Sequence, residues 1–230
     1  MTIATRLASA AAILVVAAGA ASASTITVTQ QTGDLWGGTA NRSVSYTLDG
    51  AGATPQAGQF ALTGAPDFGD FLAFCVDLEN FLSVGAPGSP YQIASLFTAS
   101  VRDNLTRLYN TAYTTLDTSN AHQMAGFQVA VWEIVYDTDS TEGLNVTNGR
   151  FVETSSNANA RNFAATLLSN LAGPQTGDFR LTFLASQTNA GGEQFSQNLV
   201  TATPVPLPAA AWLLGAGMVA LGAAGRRRRA

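Results

Sequence analysis

Residues 121–137 read AHQMAGFQVAVWEIVYD, a stretch that is apolar almost all the way round a helix. A helix without a polar face belongs inside a structure, packed on several sides. Its start is predicted near Ser119 or Asn120 and its end near Tyr136. Working outward, residues 100–116 have helical period: Ser100 with Asp103 resembles a capping box, and Val101, Leu105, Leu108, Tyr109, Ala112 and Leu116 share one face. A third helix is expected over Ala158 to Leu171, ending at Gly173-Pro174. Before these helices, Thr25 to Thr29, Val44 to Leu48, Gln59 to Thr63 and Phe71 to Leu78 alternate or run apolar between glycine-rich turns, as strands do. FLAFCVDL, residues 71–78, is apolar on both faces and is therefore expected in a central strand. Two closing strands are expected at Phe179 to Ala185 and Leu199 to Ala202. Strands, then helices, then strands predict an α+β fold: a mainly antiparallel β-sheet or sandwich core with an inserted segment of about three helices.

The 230 residues contain 11 arginines, no lysine, 15 acids, one His and one Cys. Arg6, Arg226, Arg227, Arg228 and Arg229 lie at the ends, so residues 24–203 hold six arginines against all fifteen acids, a net charge of −9. That balance repels phosphate backbones and excludes nucleic acid as a partner. One Cys and one His exclude a disulfide framework, a zinc finger and any site needing two imidazoles. No metal and no cofactor is expected. The run Asp137, Asp139 and Glu142 lacks the spacing of a calcium loop, because Gly143 stands at the seventh position and no Glu closes the loop. It reads as a solvated acidic turn. His122 reads as a helix-start residue, with no Gly-x-Ser-x-Gly elbow to accompany it.

The two ends read as addresses. Arg6, the apolar run to Ala20 and Ala21-Ser22-Ala23 form a secretory signal peptide over residues 1–23. At the other end, Ala209 to Gly225 would span about 25 Å as a helix, the short end of a membrane crossing. It follows Val205-Pro206-Leu207-Pro208, and the cluster Arg226, Arg227, Arg228 and Arg229 after it orients the tail toward the cytoplasm. The segment VPLPAAAWLLGAGMVALGAAGRRRRA resembles the C-terminal sorting signal of PEP-CTERM proteins, in the variant that carries VPLPA in place of Pro-Glu-Pro. That resemblance implies a Gram-negative bacterium, an exosortase as partner in the inner membrane, and processing near Val205 to Pro208. The protein would be anchored transiently by its C-terminal helix and then sorted to the cell surface or extracellular matrix; a permanent single-pass anchor is the alternative. The organisation is thus residues 1–23 as signal, 24–203 as extracellular domain and 204–230 as sorting signal with a transmembrane helix.

Within the extracellular domain, Gln128 lies in the centre of the apolar stripe formed by Ala121, Met124, Ala125, Val131, Trp132 and Val135. Burying its carboxamide costs roughly 1–3 kcal/mol unless a partner satisfies it. Two answers stand: a hydrogen bond to sheet backbone, or a covalent bond. Cys75 is the only thiol and sits on the expected central strand. A thiol that attacks a carboxamide releases ammonia and leaves a thioester. FCVDLENFLSVG together with Gln128, Ala130 and Trp132 is similar to the thioester domains of bacterial surface adhesins. In that family a strand Cys and a helix Gln form an internal thioester that captures nucleophiles. The resemblance assigns the thiol to Cys75, the acyl group to Gln128, and the surroundings to Phe71, Asp77, Ala130 and Trp132. Phe127 stands where the family has Thr.

These features point to an exported surface or matrix protein that binds or covalently attaches to an external target and does not turn over substrate. The target would be an amine- or hydroxyl-bearing surface or an exopolysaccharide. The competing classes are a non-reactive structural matrix component and an extracellular polysaccharide hydrolase, the latter needing paired carboxylates such as Asp77 and Glu79 in a cleft. The sorting reading is tested by replacing Arg226, Arg227, Arg228 and Arg229 with Ala: unprocessed chain should accumulate in the inner membrane. Normal release of that variant, followed by fractionation and blotting, would contradict it.

Overall fold

The computed structural model describes residues 25–206; the expected signal peptide and the segment 207–230 lie outside the described residues. In chain order the elements are β1 (Ile26–Gln30), β2 (Arg42–Ser43), β3 (Tyr46–Leu48), β4 (Ala51–Ala53), β5 (Gln56–Ala57), β6 (Phe60–Ala65), β7 (Gly69–Cys75) and β8 (Ser89–Ile93). There follow α1 (Ala99–Ala112), a 3-10 turn (Tyr113–Thr115), α2 (Ala121–Asp137), β9 (Phe151–Glu153), α3 (Asn159–Ser169), β10 (Phe179–Ser186) and β11 (Leu199–Pro204). The α+β class is as expected, with three helices inserted between strands.

The antiparallel core, expected as a sheet or sandwich, is a closed six-stranded barrel in the order β1-β6-β7-β11-β10-β8. Closure depends on β8, which pairs with β1 on one side and β10 on the other. No such strand is expected from sequence: SPYQI is short and carries Pro90, which normally argues against an interior strand. Because β8 completes the ring, the barrel keeps no edge to template aggregation. Strand β7 is central as expected, flanked by β6 and β11. It ends at Cys75, three residues before the expected Leu78.

Pleat alternation sorts the barrel residues. Val28, Leu62, Ala73, Cys75, Tyr91, Leu184 and Leu199 lie on one face and are buried. Phe74 and Val200 lie on the other face, where the helices cover them. Phe127 of α2 stacks on Phe74 at 4.8 Å between centroids, and Tyr109 of α1 meets Phe127 edge-on at 5.1 Å. Tyr113 and Phe179 extend this aromatic layer. Aromatic pairs in such tilted or edge-on geometry add about 0.5–1.5 kcal/mol beyond the area they bury.

Helix α2 is enclosed as its composition predicts, with Met124 through Ile134 all buried. Asn120 caps it, accepting from the backbone N–H of His122 and Gln123. Helix α3 packs closely on α2 because Gly126 has no Cβ: one placed there would come within 2.8 Å of the Ala160 carbonyl oxygen. For α1, the cap is Thr98, whose hydroxyl accepts from Val101 N–H, and not the expected Ser100, which lies one residue inside the helix. The remaining face of α2 holds a small sheet, β4-β3-β9, and the loop before β9.

Two carboxylates on α2 secure that loop. Asp137 accepts from Arg150 N–H at 2.9 Å and Phe151 N–H at 2.8 Å, so it is buried and structural, correcting its expected place in a solvated turn. Glu133, one helical turn earlier, accepts from Asn145 N–H, while its second oxygen has no partner. Burial pushes the Glu133 carboxyl up from 4.5 to about 8. A carboxyl raised in the folded state binds its proton more tightly there than in the unfolded chain. The stability it contributes is full below pH 4.5 and drains as pH rises toward 8. Glu133→Gln keeps the acceptor for Asn145 and removes the ionisation. Thermal melts should show the native protein losing Tm between pH 5 and 8 while the variant stays comparatively level.

Candidate functional site

The end of β7 leaves a backbone vacancy that one side chain fills. Val76 N–H donates to Asn198 O at 3.0 Å, and Cys75 stands opposite Leu199. In an antiparallel ladder this makes Cys75 and Leu199 a non-hydrogen-bonded pair, so the N–H and C=O of Cys75 face away from β11, toward β6. Strand β6 begins at Phe60, opposite Ala73. Two residues further back, Gly58 would oppose Cys75, but the chain there has already turned off into β5. The Gln128 carboxamide takes the missing rung. Cys75 N–H donates to Gln128 Oε1 at 3.0 Å, and Gln128 Nε2 donates to Cys75 O at 2.8 Å. A primary amide carries the same donor and acceptor as a peptide group, and here it acts as one strand residue supplied by a helix. Gln128 is only 1 % exposed, and each backbone group left unpaired at that depth would cost about 1–3 kcal/mol.

The Cys75 side chain occupies a polar pocket within an apolar shell. Its Sγ lies 2.7 Å from Asp77 O and 2.9 Å from Gln197 Oε1, and Asp77 N–H donates to it at 3.3 Å. Burial pushes the Cys75 thiol up to about 12, so it is an S–H donor at neutral pH. The Asp77 backbone N–H and the Trp132 indole N–H oppose that rise. Trp132 Nε1 is nevertheless buried with no atom accepting its hydrogen bond. Gln197 is held by its own carbonyl, which accepts from the Tyr91 hydroxyl at 2.8 Å.

Asp77 turns the chain out of β7. One carboxylate oxygen accepts from Glu79 N–H and Asn80 N–H, and the other from Asn80 Nδ2, Asn198 N–H and Asn198 Nδ2. Five donors commit it to joining residues 77–80 to the segment before β11. A cavity of about 230 Å³ is lined in part by Cys75, together with Tyr46, Phe60, Leu78 and Trp132, and with Pro55 and Phe81.

Of the residues the sequence singles out, Cys75, Gln128, Asp77 and Trp132 come together. Phe71 lies on the same pleat face as Cys75 but packs edge-on against Phe68 at 4.9 Å. Ala130 is buried about 200° around α2 from Gln128, on the other side of the helix. Gln197, Tyr46, Phe60 and Phe81 belong to the site and are not identified from sequence; Gln197 sits in the irregular stretch GGEQFSQN, which has no period to single it out. His122 is the second residue of α2 and contacts Arg42. Val205 and Pro206 are exposed after β11, and Val205 N–H donates to Asp178 O. Leu207, Pro208, Arg226, Arg227, Arg228 and Arg229 lie outside the described residues, as does the expected membrane helix. Among the described residues no helix is long and apolar enough to cross a membrane, and no group of His, Cys, Asp and Glu could hold a metal ion.

No family model matches the sequence, and no curated protein resembles it significantly.

A thiol 3 % exposed and held protonated is a poor nucleophile toward bulk reagents. Iodoacetamide at pH 8 should leave Cys75 of the native protein unmodified over hours. Rapid alkylation without denaturant would show that this enclosure does not persist in solution.

Proposed function

We infer that this is an exported surface or extracellular-matrix protein in which Cys75 and Gln128 form an internal thioester that attaches the protein covalently to an external target. The observation that supports this reading is the carboxamide of Gln128 clamped on the Cys75 main chain by two hydrogen bonds, with Cys75 itself lining a cavity. Cys75 Sγ adds to Gln128 Cδ, the C–N bond breaks, and the thiol proton leaves with the amide nitrogen as ammonia. A target nucleophile then adds to the same carbon, the C–S bond breaks, and a proton returns to sulfur. The apolar walls exclude water and slow hydrolysis of the thioester until a nucleophile enters. The exosortase-directed sorting expected from residues 204–230 would deliver the domain to the surface or matrix.

The same two hydrogen bonds also favour a second reading, in which Gln128 is only a structural rung and the protein is a non-reactive matrix component. The hydrolase alternative has less support, because every oxygen of Asp77 is committed to backbone and side-chain donors. Intact mass of the purified protein separates the first two. The thioester reading expects a mass one ammonia below that calculated from its termini, restored in Cys75→Ala and Gln128→Ala. Methylamine should add its own mass and release a thiol that alkylates on denaturation. A full mass, with the thiol titrating as soon as the chain unfolds, would leave the structural reading.

A further inference from the structure

The cavity over Cys75 has a composition that restricts what can enter it. Its titratable groups are Cys75, Asp77 and Tyr46. Asp77 already accepts from five donors, and the Tyr46 hydroxyl donates to Leu78 O at 3.3 Å. Among the described residues no Arg or His lines it. Its one carboxylate therefore has no uncommitted oxygen to accept from an ammonium, and the lining adds no other base to take its proton. Transferring an unpaired cation into such a place is strongly unfavourable. An amine reacting there must arrive already neutral. A hydroxyl arrives neutral but needs a base to become nucleophilic, and the lining supplies none.

What the cavity does provide is aromatic surface and neutral polar groups. Tyr46, Phe60 and Trp132 form its walls, and Phe81, 87 % exposed, stands at its rim. Gln56, Asn80 and Gln197 supply amides beside them. The buried Trp132 indole N–H lies near enough to the thiol to oppose its pKa rise and has no other acceptor. Aromatic faces with side-chain amides suit a polyhydroxylated ring. At about 230 Å³ the space is smaller than sites for drug-sized ligands and holds one ring, not a folded peptide segment.

We propose that the nucleophile this site takes is the amine of a 2-amino sugar in a polysaccharide, in preference to a lysine side chain. The inference rests on the thioester reading above. The sugar amine adds to Gln128 Cδ, the C–S bond breaks, one amine proton passes to Cys75 Sγ, and an amide joins sugar to protein. An amine flanked by electron-withdrawing oxygens titrates, like an α-amino group, near about 8, whereas lysine titrates near about 10.4. At pH 7.5 their neutral fractions differ about two hundredfold. The greater intrinsic nucleophilicity of the lysine amine offsets part of that advantage.

The test follows intact mass of the purified protein at pH 7.5 with three probes: methyl 2-amino-2-deoxy-glucoside, Nα-acetyl-lysine and glycinamide. The amino glucoside should add its full mass about tenfold faster than Nα-acetyl-lysine or more, and its rate should saturate with concentration. Glycinamide matches its amine but has no ring, and its rate should rise without saturating. Phe81→Ala, a change at an exposed rim, should raise the half-saturating concentration of the amino glucoside several-fold. Equal or faster addition of Nα-acetyl-lysine, or an amino-glucoside rate that never saturates, would overturn the inference while leaving the thioester intact. Absence of the initial one-ammonia deficit would instead overturn the thioester reading and this inference with it.

Discussion

The structure depends on a single join, in which the side-chain amide of Gln128 completes the ladder that β6 leaves unfinished beside Cys75. A barrel and a buried helix packed on it could meet through apolar contact alone, as Phe74 and Phe127 do. Apolar contact is tolerant of sliding, because many side-chain arrangements bury similar area. Two hydrogen bonds at 3.0 and 2.8 Å are not, because a displacement of about one ångström would leave four buried polar groups unpaired. The amide therefore sets the register of α2 along β7. With it come Trp132, four residues on and on the same side of the helix, and the loop that Glu133 and Asp137 hold.

That join also defines the chemical character of the site. The same carboxamide that serves as a rung is held on the main chain of a residue whose thiol is buried and protonated. Electrostatics there are governed by what is missing. With no cation in the lining, a species entering the cavity meets dipoles, aromatic faces and the one carboxylate of Asp77, whose oxygens already accept from five donors. In the thioester reading proposed above, such an environment would shield an acyl group from water, and it would discriminate among nucleophiles by charge before shape.

Much of this is legible in the chain, and the parts that are not share a cause. Helix α2 is legible because its N-cap Asn120 and its apolar circumference are local signals, and Gln128 stands out because an amide interrupts an apolar stripe. Cys75 is legible as the only thiol. The strand containing it reads longer in sequence than it is, because Val76 and Leu78 continue the apolar pattern while the turn is made by the Asp77 carboxylate accepting from Glu79 and Asn80. Barrel closure has no local trace: β8 carries a proline, and its partners β1 and β10 lie about sixty and ninety residues away along the chain. Gln197 and the aromatic walls enter the site from four separate segments, and only the packing of the barrel, the small sheet and α2 brings those segments together. Asp137 reads as part of an acidic turn because its neighbours Asp139 and Glu142 are exposed, whereas its own carboxylate points back into backbone donors of a loop thirteen residues later.

The antiparallel pairing of β7 with β11 has a mechanical corollary. Cys75 ends β7 opposite Leu199 at the start of β11, and β11 runs from there to Pro204, where the chain continues toward 206. A pull between the cavity and that continuation is directed along β11, parallel to the strands and across their hydrogen bonds. All rungs joining β11 to its two neighbours then bear the load together, as in shear, and do not open one after another as in a zipper. The force path is short but includes a helix: a target bonded to Gln128 would load α2, whose carboxamide meets β7 through two hydrogen bonds at Cys75. In the thioester reading, tension would pass from α2 into β7 and on to β11, with α1 and α3 off that path.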